Sequence, residues 1–125
     1  MRSEYQARID RVVAHIDANL SEDLSLEELA RVACFSEYHF HRIFRSIVGE
    51  SLNQFVQRRR LETAARSLHF NARDKVIDVA LSTGYENPTS FFRAFRRFFG
   101  SSPSLWRARE IARSAMCLIL ECGKS

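Results

Sequence analysis

Two stripes of side chains in this 125-residue chain have the types and the spacing to act on a polyanion. Tyr38, His41, Arg42 and Arg45 recur at helical spacing, on the face opposite an apolar stripe of Phe40, Ile43, Phe44 and Ile47. Further on, Thr89, Phe92, Arg93 and Arg96 stand opposite a stripe read as Phe91, Phe95 and Phe98. A guanidinium presents parallel N–H donors that match O6 and N7 of guanine. His and Thr are adaptable hydrogen-bonding partners, and an aromatic ring can rest on a thymine methyl. One such stripe alone reads equally well as a solvated face that happens to hold arginines. Two matched copies favour a nucleic-acid surface. Phe92 adds to that reading, because an exposed Phe on a merely solvated face lowers solubility to no purpose.

Other chemistries fit poorly. No Cys, His or Asp group has the spacing of an activated nucleophile, and no Gly-rich phosphate loop exists, so an enzyme is not expected. His39 and His41 are two apart on one helix and therefore on different faces, which makes them a poor metal pair. We expect no metal and no cofactor. Cys34, Cys117 and Cys122 form no C-x-x-C pair and read as reduced thiols of a cytoplasmic protein. The polar N-terminus has no signal-peptide character, and the longest apolar run, Ala115 to Leu120, is too short to span a bilayer, so no membrane partner is expected. The net charge of +4 suits a polyanionic partner only weakly; its distribution says more. The chain is acid-rich up to Glu28 and Arg-rich over Arg42 to Arg66 and Arg93 to Arg109.

The elements that must position these stripes are helical throughout. Ile9, Val12, Val13, Ile16 and Leu20 share one face of a first helix. Ser25-Leu-Glu-Glu28 is a capping-box start for a second helix, with Leu26, Leu29, Ala30 and Ala33 apolar. Ser36 caps a third helix that Gly49 ends. Ser51 starts a long fourth helix to about His69. A polar stretch, Asn71 to Lys75, precedes a short helix from Val76 to about Thr83. Asn87-Pro88 reads as N-cap and first residue of the next helix, ended by Gly100. Ser102-Pro103 begins a last short helix with Leu105 and Trp106, the Trp expected in the core. An internal repeat runs through this order: Ala30, Phe35, Phe40, Arg42, Phe44, Gly49 and Ser51 recur about fifty residues later as Ala80, Tyr85, Phe91, Arg93, Phe95, Gly100 and Ser102. The register slips by one residue between the two helices of each copy. Each copy has the outline of a helix-turn-helix.

With these motifs in view, the chain resembles the DNA-binding domain of the AraC/XylS transcription regulators. The likeness covers about Ile9 to Arg109. It is carried by Leu26-Glu-Glu-Leu-Ala30, Ser36-Glu-Tyr-His-Phe-His-Arg-Ile-Phe44, Gly84-Tyr85, Phe91-Phe-Arg-Ala-Phe-Arg-Arg-Phe-Phe-Gly100 and Pro103-Ser-Leu-Trp-Arg107. The resemblance implies an all-α fold of about seven helices, in two helix-turn-helix subdomains joined by a long linker helix. It implies double-stranded DNA as partner, read in two adjacent major-groove segments, and an activator that works with RNA polymerase at the bacterial nucleoid. By position, Tyr38, His41 and Arg42 match the family's base-reading residues in the first unit, and Pro88, Thr89, Ser90 and Arg93 match those in the second. With Phe92 added, these form the expected base-reading set. Pro88 is left out of it, because proline has no polar head and its expected role is helix initiation. Ser36, His39, Arg45, Arg96 and Arg97 form the expected backbone-contacting set, His39 having a structural role as its alternative.

The expected lobes are residues 5–50 and 75–110, joined by a linker helix over 51–69, with 111–125 a tail or a truncated linker. A small-molecule effector is expected only if a further domain belongs to the protein. Cys34 stands where the second copy has Gly84, and it should either adopt a left-handed conformation or force a different turn. Arg58, Arg59 and Arg60 form a run for which a solvated face with ion pairs to nearby acids is at least as good a reading as phosphate contact. A non-specific architectural DNA binder, and a thiol- or effector-responsive sensor working through Cys34 or Cys117, are the alternative functions.

Overall fold

The computed structural model describes the backbone of residues 2–71 and 73–123 and the side-chain surroundings of residues 4–71 and 73–113. Among the described residues it has seven helices and no strand: α1 (Arg2–Ala18), α2 (Leu26–Ala33), α3 (Glu37–Val48), α4 (Leu52–Phe70), α5 (Val76–Ser82), α6 (Pro88–Phe99) and α7 (Pro103–Gly123). Two compact units divide the chain between Arg60 and Leu61, within α4.

Local chemistry sets most helix ends. The Ser25 hydroxyl accepts from the Glu28 N–H, the Ser36 hydroxyl from the His39 N–H, and the Asn87 carboxamide from the Ser90 N–H. Each satisfies one of the N–H groups that the first turn of a helix leaves without a partner. Ser51 and Gln54 form a reciprocal capping box ahead of α4: Gln54 N–H donates to the Ser51 hydroxyl, and Ser51 N–H donates to the Gln54 side chain, both at 3.2 Å. At the other ends, α3 and α6 stop at Gly49 and Gly100, which have φ of 92° and 80°. Such positive φ strains any residue with a Cβ.

The first core gathers one face each of α1, α2 and α3 with the start of α4. Ile9, Val12 and Ile16 of α1 meet Leu29, Ala30 and Ala33 of α2, Phe40 and Phe44 of α3, and Phe55 and Val56 of α4. The Phe44 ring stands edge-on to Phe55 with centroids 5.4 Å apart, a favoured arrangement of aromatic quadrupoles. The second core collects Leu61, Ala64, Ala65 and Leu68 of α4, Val79 and Ala80 of α5, Tyr85, and Phe91 and Phe95 of α6. Trp106 of α7 packs on it, its ring 5.9 Å from Phe95 and 5.7 Å from Phe99.

This last contact corrects the apolar stripe of α6. Phe98 is 47% exposed, and Phe99 packs against the core in its place. On a helical wheel both positions flank the Phe91/Phe95 stripe. The side on which Trp106 arrives decides which of them is covered, and that is a tertiary fact. The last helix also exceeds its expected length, since α7 continues to Gly123. The apolar positions Ala115, Leu118 and Ile119, together with Cys117 and Cys122, lie outside the side chains described.

The arginine run of α4 is used within the first unit. Arg58 donates to Glu50 Oε1 from Nε at 2.9 Å and from Nη2 at 2.6 Å. Arg59 pairs with Asp17 of α1 at 2.7 Å. Arg60 donates to the carbonyls of Leu20 and Glu22 at 3.0 and 3.1 Å, holding the α1–α2 connection against α4. Arg107 does the corresponding work in the second unit, donating to the carbonyls of Leu68 and Asn71 at the C-terminal end of α4. The Leu68 carbonyl lies in the last turn of α4, where helix carbonyls have no partner within the helix.

Candidate nucleic-acid interface

Each unit holds a short helix, a turn and a twelve-residue helix, α2–α3 in the first and α5–α6 in the second. Burying Phe40 and Phe44 completely fixes the rotation of α3 about its axis, and Phe91 and Phe95 do the same for α6. The opposite faces are therefore held toward solvent. Tyr38, His41, Arg42 and Arg45 are all exposed on α3, and Thr89, Phe92, Arg93 and Arg96 are all exposed on α6. They occupy the second, fifth, sixth and ninth positions of their helices in both copies. The structure thus places each of the two outward stripes on one face of its own helix.

The flanking residues are disposed similarly. Ser36 and Asn87 are the N-caps. His39, Ser90 and Arg97 are exposed beside the two stripes, whereas Pro88, the first residue of α6, is half-buried. Its ring removes an N–H that would have lacked a helical partner anyway, so it starts the helix without loss. On α3, His39 and Arg42 border an open groove against Tyr5 and Gln6 of α1.

The turns differ. Cys34 ends α2 in the left-handed region at φ 60° and ψ 39°. Its N–H reaches the Arg31 carbonyl at 3.1 Å, and the Phe35 N–H reaches Ala30 at 3.0 Å, so the end of α2 is closed as a tight left-handed cap. Phe35 is then held between α1 and the turn, with Tyr5 edge-on at 5.4 Å and the Arg8 guanidinium 4.9 Å over its ring.

One feature of the site was not read from the sequence. Tyr38 and Arg42 are in contact, with Arg42 Nη1 donating to the Tyr38 hydroxyl at 3.4 Å and its guanidinium carbon 5.6 Å from the ring centroid. The signal was present in their spacing, since residues four apart on a helix are neighbours. Among the described residues, no three His, Cys, Asp or Glu side chains come together to hold a metal ion, and no helix is long and apolar enough to cross a membrane.

Two helix-turn-helix units with exposed, Arg-bearing second helices define a DNA-binding class of protein. Residues 29–109 match the family model described as a helix-turn-helix domain. The chain is 33% identical over 111 residues to the HTH-type transcriptional activator AarP of Providencia stuartii, covering 89% of this chain and 82% of AarP. It is also 33% identical to the HTH-type transcriptional regulator YbfP of Bacillus subtilis, covering 82% of this chain but only 35% of YbfP. Among solved structures, the DNA-binding domain of AdpA in complex with a target DNA superposes with a TM-score of 0.78 at 35% identity, over 84% of this chain and 94% of that one. The chain belongs to the AraC/XylS-type family of DNA-binding transcription regulators, a family of regulators and not of enzymes.

Proposed function

We propose that the chain is a sequence-specific regulator that reads double-stranded DNA with α3 and α6, each laid in one of two adjacent major-groove segments. One observation carries this reading: the same four positions of two capped, core-locked helices carry exposed side chains, with Arg at the sixth and ninth position of each. Tyr38, His41 and Arg42 form the base-facing set of α3, and Thr89, Ser90, Phe92 and Arg93 that of α6. Ser36, His39, Arg45, Arg96 and Arg97 serve the phosphate backbone. In this reading the protein is an activator, as AarP is by name, and acts with RNA polymerase at the bacterial nucleoid. A small-molecule effector would need a further domain, for which the greater length of YbfP gives precedent.

Selection of bound duplexes from a random pool tests the proposal. The two outward stripes carry different side chains, Tyr38 and His41 against Thr89 and Phe92, so the selected site is expected to be asymmetric. Its two base clusters should lie about 10 bp apart, one helical turn of DNA. At fixed salt the selected site should be preferred over random DNA by about 10³ or more. A palindromic site, or a preference far below that ratio, would leave the architectural alternative as the better account.

A further inference from the structure

We propose that Tyr38 is a positioning residue for Arg42, and that the first unit therefore discriminates its base more strictly than the second. This rests on the proposed function, in which Arg42 and Arg93 read bases. Tyr38 is 69% exposed and belongs to neither core, so the stability of the unit does not explain its contact with Arg42. Its hydroxyl accepts from Arg42 Nη1 at 3.4 Å, and its ring lies 5.6 Å from the guanidinium carbon. A hydroxyl bond at one nitrogen and a ring 5.6 Å from the guanidinium carbon restrict where the guanidinium can go. Arg has five N–H donors, so one bond to Tyr38 leaves a donor pair for the N7/O6 edge of a guanine.

The equivalent positions of α6 hold Thr89 and Arg93. A threonine side chain is too short to cover a guanidinium four residues away. Arg93 has no hydrogen bond, ion pair or ring contact among the described residues. It must give up its rotamer freedom when it binds, whereas Arg42 has surrendered part of that freedom beforehand. Orientation fixed in advance penalises a wrong base more heavily, because a held guanidinium cannot swing to another acceptor. A free one can.

A double-mutant cycle on the selected duplex, with every base tested at the position that Arg42→Ala relaxes, decides the matter. A cation–π contact at an exposed site corresponds to about a two- to fivefold effect. Tyr38→Ala is expected to weaken the cognate site by that factor and to flatten the preference at that base by the same factor. Tyr38→Phe, which keeps the ring, should retain most of the preference. In an Arg42→Ala background, Tyr38→Ala should cost clearly less, because only its own place in the base-facing set is left to lose. Equal losses in both backgrounds would show that Tyr38 acts only through its own place at the DNA and not through Arg42, and would overturn the proposal. So would an intact base preference in Tyr38→Ala. If Arg42→Ala itself leaves every base preference unchanged, the base-reading assignment falls and the positioning role falls with it. A DNA-free measurement separates the two failures: the Arg42 side-chain proton resonances should carry an upfield ring-current shift that Tyr38→Leu abolishes, and its absence would overturn the contact itself.

Discussion

In the first unit the turn ahead of α3 passes through Cys34 at φ 60°, while in the second the turn ahead of α6 passes through Gly84 at φ 99°. The residue before the turn differs too. Ala33 in the first unit corresponds to Thr83 in the second, a buried Thr whose hydroxyl is shared between the carbonyls of Val79 and Ala80. On the outward face of α2, Glu27 and Arg31 approach as an ion pair at 3.5 Å. The matching positions of α5 hold Ile77 and Leu81, each 49% exposed. Yet α3 and α6 agree in length, caps, buried Phe pair and exposed Arg positions. The repeat therefore holds tightly to whatever sets the position and rotation of the second helix, and tolerates change in how the chain reaches it. That is the pattern expected if the second helix of each unit makes the working contacts.

The largest expected effect tests the part of the comparison that packs. Phe95→Ala removes a fully buried ring and should destabilise the protein by about 3–5 kcal/mol. Phe98→Ala, on the same helix but half exposed, should stay within about 0.5 kcal/mol of the parent. Denaturant unfolding of the two variants measures both. Equal costs would return Phe98 to the core and undo the correspondence of α6 with α3.

Next in size come the paired arginines. Arg42→Ala and Arg93→Ala should each weaken binding to the cognate site by about 1–3 kcal/mol and relax one base position, in different clusters of the site. Binding titrations against single-base variants of the selected duplex provide the check. If both variants keep every base preference, the shared sixth position is only a solvated face.

Arg45 and Arg96, one turn further along the same stripes, should act on phosphates. Their Ala variants are expected to weaken all duplexes alike and to lower the slope of log K against log salt by about one each. A base-dependent loss at either position would move the boundary between reading and anchoring residues along the helix.

How much of this was legible beforehand follows from the range of the interactions involved. Caps are local: Ser36, Gly49, Asn87-Pro88 and Gly100 marked the ends of α3 and α6 because their side chains or their positive φ act within a few residues. Outward stripes are nearly as local, since burying Phe40 and Phe44 fixes where Arg42 points. Phe98 and Phe99 were not separable, because the choice between them is made by Trp106 from another helix. The roles of Arg58, Arg59 and Arg60 were equally hidden. Their partners, Glu50, Asp17 and the carbonyls of Leu20 and Glu22, are mostly remote in sequence, and a run of three arginines carries no mark of which ones pair inward.

The smallest expected effect concerns the turn where the two copies differ most. A non-Gly residue held in the left-handed region stores about 1–2 kcal/mol through the crowding of its Cβ. Cys34 is held there by the closure of α2, and its exposed thiol is free, so little packing offsets that strain. Cys34→Gly should relieve it, but glycine also enlarges the conformational freedom of the unfolded chain, which takes back about 0.4–1 kcal/mol. The net expectation is a gain in stability of up to about 1 kcal/mol, seen as a higher denaturation midpoint. Cys34→Ala separates the backbone from the thiol: it keeps the Cβ and should leave stability near the parent value. If the glycine variant is instead destabilised while the alanine variant is unchanged, the left-handed cap at Cys34 carries no strain, and the first turn is as well suited to cysteine as the second is to glycine.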